Sequence, residues 1–340
     1  NDGIMKGYRN IYNIYIVCLG LMMSSILIGG CQKHACIPVQ TGPVVFKAFF
    51  GNETKSGIID ADSASRPLTD VEGIQIIRGA DGENPAFNEV PQVNITGAIK
   101  AGSDVLTPSP SQHFPLDANG IPLDEDINFF AYYPEGDSYT AGTGDTPAEV
   151  AWNLYDGLTD IIYTLPAEGN YYEDSKEGND IDFRFVHALS RLSLKIIAED
   201  YDSYITFKSV TSAKIMVPFE VRMMIDKNGN AKFRYGPEDR SGWKEIDFCK
   251  NAQKLPIGYP KALDESLDIL IPPIEGNYSL RFCFEGLGEV DKEYVVENLP
   301  LVPGKTTVLT ITVRGGVLML MAPYVEMYDP VKVDGPIVIE

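Results

Sequence analysis

Six apolar residues, Ile215, Val217, Phe219, Val221, Met223 and Ile225, stand at successive odd positions, with Glu220 and Arg222 among the residues between them. A helix would scatter these six around its circumference, whereas a strand puts them all on one face. The alternation predicts one strand over 215–225, and Pro218, which has no N–H to donate, puts it at a sheet edge or a bulge. The run Asp226-Lys227-Asn228-Gly229-Asn230 predicts a turn into Ala231–Tyr235, because Asn-Gly between alternating segments favours a hairpin. Asp226, Asn228 and Asn230 also open like a calcium loop, but Ala231 stands where that loop needs glycine and Pro237 where it needs its closing acid. A turn is therefore expected, with no metal.

Period two recurs along most of the chain. Further strands are predicted at 44–50, 73–78, 92–99, 127–133, 160–164, 181–197, 267–271, 279–285, 293–298 and 306–321, and no long amphipathic helix competes. Phe183, Phe185, His187 and Leu189 share one parity and Leu192, Leu194 and Ile196 the other, so a bulge is expected near Ser190. With 31 Gly and 23 Pro in 340 residues, turn formers reach roughly 16% against a usual ~12%. The fold class is all-β. The acidic, polar stretch 166–180 divides it into 44–175 and 176–340, two β-sandwiches in tandem.

The N-terminal segment has a different design. A basic opening, Met5-Lys6-Gly7-Tyr8-Arg9, precedes an apolar run from Ile14 to Ile28 that is too short for a spanning helix and ends at Gly29-Gly30. Residues 1–30 are expected to be a signal peptide. Ile28-Gly29-Gly30-Cys31 resembles a bacterial lipoprotein box, in which cleavage falls before the cysteine, here Cys31, and the cysteine takes the lipid. Multiple acylation, palmitate included, holds a protein on a bilayer without a spanning segment. Residues 31–43 read as a tether.

The chain carries 48 acidic against 28 basic residues, a net charge of −20 that repels a phosphate backbone and excludes nucleic acid as a partner. Three His and five Cys leave little for a multi-ligand metal site or an imidazole relay. No nucleophile elbow, P-loop or zinc-protease motif occurs, so no catalytic residue, cofactor or metal is expected. His187 alternates with core residues and is expected to be buried with its ring hydrogen-bonded. His34 and Cys36 lie in the tether without nearby acids. Asp124 and Asp126 read as turn residues and Gly142-Thr143-Gly144 as a loop. An exported compartment permits a disulfide between Cys249 and Cys283, which the sequence leaves open.

Phe129-Phe130-Ala131-Tyr132-Tyr133-Pro134, then Asp160-Ile161-Ile162-Tyr163, then the run from Asp182 to Leu192, resemble the ordered landmarks of the fimbrillin-like lipoproteins. Pro303-Gly304-Lys305 before a long alternating strand resembles their late hairpin. Fimbrillins are subunits of type V pili, fimbriae of Gram-negative gut and oral bacteria. The resemblance implies two tandem transthyretin-like Greek-key sandwiches, anchorage to the outer membrane, a role in adhesion and biofilm formation, other fimbrial subunits as partners and no catalysis. It also implies that a protease removes the first strand, matched here by Val44–Phe50, so that another subunit's strand takes its place. Where the family often carries arginine behind that strand, this chain has Thr54-Lys55-Ser56, and the next arginine, Arg66, precedes Pro67. A cut at Lys55, a cut at Arg66, another protease and no cut all stay open. At the far end, Val331, Val333, Ile337 and Ile339 share one parity, so 330–340 is either a donor strand acting in trans or the last strand of its own domain. The alternative function is a lipid-anchored glycan-binding protein of a polysaccharide-uptake system, for which Tyr171, Tyr172, Tyr201 and Tyr204 would supply ring platforms beside the two tryptophans, Trp152 and Trp243.

Overall fold

The computed structural model describes residues 43–50, 67, 69–154, 157–174, 180–236, 240–249, 251–257, 267–315, 317–321 and 323–326. The chain is all-β. Its strands begin with β1 (Val45–Phe50), β2 (Val71–Arg78), β3 (Ile95–Ile99), β4 (Val105–Ser109) and β5 (Ile127–Tyr133). There follow β6 (Ser138–Thr140), β7 (Ala148–Asn153), β8 (Ile162–Thr164), β9 (Ala167–Gly169) and β10 (Asp180–His187). Next come β11 (Ser190–Ala198), β12 (Ser209–Pro218), β13 (Glu220–Ile225), β14 (Ala231–Tyr235), β15 (Trp243–Asp247) and β16 (Gln253–Lys254). The last are β17 (Leu267–Ile271), β18 (Tyr278–Glu285), β19 (Glu289–Val296), β20 (Thr306–Arg314), β21 (Val317–Leu320) and β22 (Tyr324–Glu326). Among the described residues a 3-10 turn (Phe87–Glu89) and two short α-helices, α1 (Tyr171–Asp174) and α2 (Tyr201–Thr206), interrupt them, and Asp200 caps α2 by accepting the Ser203 N–H. The loop Pro115–Leu123 folds around Asp117, whose Oδ1 accepts the N–H groups of Asn119 and Ile121 at 2.8 Å each.

The first sheet runs β2-β3-β4-β1-β10-β8-β5-β9, and β2 also pairs with β5, so seven strands close into a ring. One face of the ring gathers Phe46, Phe50, Phe129, Phe183 and Phe185 with Ile99 and Leu106 into a core. Its other face meets a four-stranded sheet, β14-β13-β7-β6, where Ile77, Phe130 and Tyr132 pack with Val150, Trp152, Val221, Met223 and Ile225. β5 is therefore buried on both sides, which explains why Phe129-Phe130-Ala131-Tyr132 is a continuous apolar run without alternation. Two further sheets, β17-β11-β20-β21 and β15-β12-β18-β19, share a third core that includes Leu194, Ile196 and Ile311 from one and Ile215, Phe282 and Phe284 from the other.

The strand expected over 215–225 is two strands. β12 ends at Pro218 and packs Ile215 and Val217 into the third core, while β13 carries Val221, Met223 and Ile225 into the core against the ring. Unbroken parity hides the crossing because both strands point their odd residues inward. Pro218, lacking an N–H, stands where the ladder of one sheet stops, and Phe219 is the step between sheets. The parity switch near Ser190 is likewise a change of sheet and not a bulge: β10 ends at His187, and β11 starts at Ser190 in another sheet. Sheet membership also cuts across the border expected at 175/176, since β10 pairs with β1 and the β13–β14 hairpin pairs with β7.

Cys249 and Cys283 are not joined by a disulfide. β12 runs between β15 and β18, and Cys249 turns into the core while Cys283 lies on the outward side of β18, so the two are kept apart by an intervening strand.

The hairpin at 226–230 forms as expected, with Ile225 opposite Ala231 and the Asp226 carboxylate accepting the N–H groups of Asn228 and Asn230 at 2.9 Å each. Gly229 has φ +81°, and a Cβ there would lie 2.7 Å from Pro166 and 2.9 Å from the Phe87 ring. Gly229→Ala is expected to lower unfolding free energy by about 1–3 kcal/mol, read as a reduced urea midpoint.

Candidate assembly groove

β1 lies between β4 and β10, antiparallel to the first and parallel to the second. Its alternation is complete: Val44, Phe46, Ala48 and Phe50 are buried, with partly exposed residues between them. Six register pairs, from Val45 opposite Asp180 to Phe50 opposite Phe185, bind it to β10. On the β4 side, Ala48 N–H donates to the Asp104 carbonyl at 2.7 Å, and just before the strand Val44 N–H donates to the Gln112 carbonyl at 2.8 Å.

The floor beneath β1 is aromatic. Phe46 stacks on Phe183 with ring centres 5.2 Å apart and meets Phe129 edge-on at 4.9 Å, and Phe50 stacks on Phe185 at 5.2 Å. Burying Val44, Phe46 and Phe50 contributes roughly 1.5–3 kcal/mol each, comparable together with the 5–15 kcal/mol net stability of a typical domain. The outward Lys47 pairs with Asp180, whose hydrogen bond and charge raise the ammonium pKa. Without β1, the facing backbone groups of β4 and β10 would be unpaired above this phenylalanine floor, an arrangement that accepts an extended apolar strand.

The strand expected over 44–50 forms as β1, preceded by the buried Val44. Cys31, Lys55, Arg66 and the tail residues Val331, Val333, Ile337 and Ile339 lie outside the described residues. The opposite wall, β4, is absent from the sequence reading, because Val105-Leu106-Thr107-Pro108-Ser109 holds too few apolar residues to register an alternation. Arg78 at the end of β2 is tied down: it pairs with Asp81 at 3.0 Å, donates to the His113 carbonyl at 3.2 Å and lies 5.8 Å over the Phe129 ring.

The remaining sequence candidates are structural in their surroundings. His187 is buried, its Nδ1 2.8 and 3.0 Å from the two carboxylate oxygens of buried Asp160. Asp124 and Asp126 both accept from the Asn170 amide, at 3.2 and 3.0 Å. Tyr171 and Tyr172 meet at 90° and Tyr201 and Tyr204 at 30°, so neither pair forms a flat platform for a sugar ring.

No protein-family model and no curated protein matches the chain. Among solved structures, the chain is similar to a proposed cell adhesion protein of Bacteroides uniformis, at 15% identity and TM-score 0.55, over 85% of this chain and 98% of that one. A second proposed cell adhesion protein, from Bacteroides ovatus, aligns at 14% identity and TM-score 0.52, over 85% of this chain and 98% of that one. A fimbrial protein of Bacteroides vulgatus aligns at 12% identity and TM-score 0.49, over 84% and 99%. The chain has the fold of the first two, in agreement with its resemblance to the fimbrillin-like family.

Phe46→Ala is expected to destabilise the protein by about 3–5 kcal/mol, because it empties the space between Phe129 and Phe183. Lys47→Ala on the outward face should leave the thermal midpoint nearly unchanged, so paired melting curves of the two variants check whether β1 is held by its inward face.

Proposed function

We propose that the chain is a structural subunit of a cell-surface fimbria of the type V kind, exported as a lipoprotein, assembled by strand exchange, and serving adhesion and biofilm formation. The observation that supports this most is the seating of β1: a short apolar strand between β4 and β10, followed in the chain by the stretch that holds Lys55 and Arg66. Cutting that stretch and withdrawing β1 would open the ring at one place and leave a slot of one strand's width. Val331, Val333, Ile337 and Ile339 provide an apolar strand of matching period. Burying those four side chains, at roughly 1.5–3 kcal/mol each, would make the exchange nearly permanent. The fold shared with two proposed cell adhesion proteins accords with this.

On this reading Cys31 carries the lipid, palmitate included, that holds the precursor at the outer membrane, and the partners are other fimbrial subunits. The seven-strand ring with its four-stranded sheet would be one transthyretin-like Greek-key sandwich and the two remaining sheets the second. The first sandwich would draw β10, β13 and β14 from beyond the 175/176 border, and the second would lie wholly after it.

Two measurements test the assignment. Mass spectrometry of the surface-displayed protein should find an N-terminus after Lys55 or Arg66, whereas an intact, lipidated Cys31 terminus on polymerised protein would rule out release of β1. Deleting residues 330–340 should leave a folded monomer that no longer polymerises, and a deletion variant that still forms fibres would refute donation by the tail.

A further inference from the structure

Away from β1, a cavity of about 560 Å³ opens beside the edge strand β14, with Phe233, Arg234, Tyr235, Arg240, Trp243 and Glu275 in its lining. Its volume lies within the ~300–1,000 Å³ range of small-molecule sites. The aromatic wall is rigidly set. The Phe233 and Tyr235 rings lie 11° from parallel with centres 6.1 Å apart, and the Tyr235 hydroxyl donates to the Ala188 carbonyl at 3.2 Å. Trp243 packs on Tyr278 at 5.5 Å, and the Tyr278 hydroxyl donates to the Ile274 carbonyl at 2.8 Å.

Three further features bear on what the cavity could hold. In a chain with 20 more acidic than basic charges, Arg234 and Arg240 both line this cavity, and neither has an ion-pair partner among the described residues. Arg240 holds a left-handed backbone, φ 59°, which costs a side-chain-bearing residue stability. Its guanidinium sits 4.5 Å over the Trp243 ring, and Gly276 leaves it room, since a Cβ there would be 3.0 Å from Nη2. The Trp243 indole N–H is buried without a hydrogen-bond partner, an orphan donor of the kind a ligand oxygen satisfies.

We propose that this cavity binds an acidic monosaccharide residue, a pyranose bearing one carboxylate. The two guanidiniums suit the carboxylate, the aromatic wall suits the apolar face of a sugar ring, and Glu275 accepts from ring hydroxyls. Among the described lining residues two positive groups and one negative leave a single positive charge, which matches one carboxylate and disfavours a dianionic phosphate. The site is independent of strand exchange and would give a fibre subunit a ligand of its own.

Trp152 and Trp243 are the two tryptophans, and Trp152 lies in a different core with its indole N–H donating to the Pro134 carbonyl, so Trp152→Phe leaves Trp243 as sole tryptophan reporter. The full mature chain with that substitution is titrated with D-glucuronic acid, with D-glucose as the uncharged ring and with acetate as the charge without a ring. Saturable binding of D-glucuronic acid in the millimolar range is expected, at least tenfold tighter than either control, and weakened roughly tenfold or more by Arg234→Gln and by Arg240→Gln. Arg234 is exposed, so its variant should keep the parent unfolding midpoint and reports on binding even if Arg240→Gln perturbs folding. Absence of saturable binding, equal affinity for glucose, equal affinity for acetate, or binding indifferent to Arg234→Gln would each overturn the proposal.

Discussion

Everything in the first half of the molecule depends on the contact between β1 and the phenylalanine floor. The ring path passes through β4, β1 and β10, so the strand that stacks Phe46 on Phe183 and Phe50 on Phe185 also completes the ring. A closed ring leaves few unpaired strand edges, and edges are what β proteins must protect from unwanted pairing. The same geometry makes β1 separable in principle. It joins its neighbours through backbone ladders and a row of alternate side chains, interactions that any strand of the same period can reproduce.

The ring alone could not be stable with its outer face bare, and the four-stranded sheet meets that need. β5 is the hinge of the arrangement, since Phe129 and Ala131 face the ring's core while Phe130 and Tyr132 face the neighbouring sheet. Half of that covering sheet is supplied by β13 and β14, from far along the chain. The chain crosses sheets at Ala188–Leu189 and again at Phe219, and each crossing is a place where one hydrogen-bonded ladder ends and another begins. Proline at 218 marks the second crossing chemically.

The cavity beside β14 is a product of these crossings. Arg234 and Tyr235 come from a strand of the covering sheet, Arg240 from the approach to β15, Trp243 from its first position, and Glu275 from the loop after β17. These segments belong to separate sheets and meet only because β12 and β13 are consecutive in the chain yet belong to different sheets. The tyrosines singled out from the sequence as sugar platforms were chosen for adjacency in the chain, and adjacency turned Tyr171 and Tyr172 edge to face.

Side-chain period is a local property, and it was enough to establish an all-β chain, the inward set of β1, the Asn-Gly hairpin at 226–230 and the burial of His187. Period says which residues share a face but nothing about which face they meet, so Ile215 to Ile225 read as one strand although its halves serve different cores. Neighbour choice is decided by long-range pairing and by the packing of whole faces. Only the folded chain therefore decided that β1 sits between β4 and β10, that β12 keeps Cys249 from Cys283, and that Arg234, Arg240, Trp243 and Glu275 line one cavity.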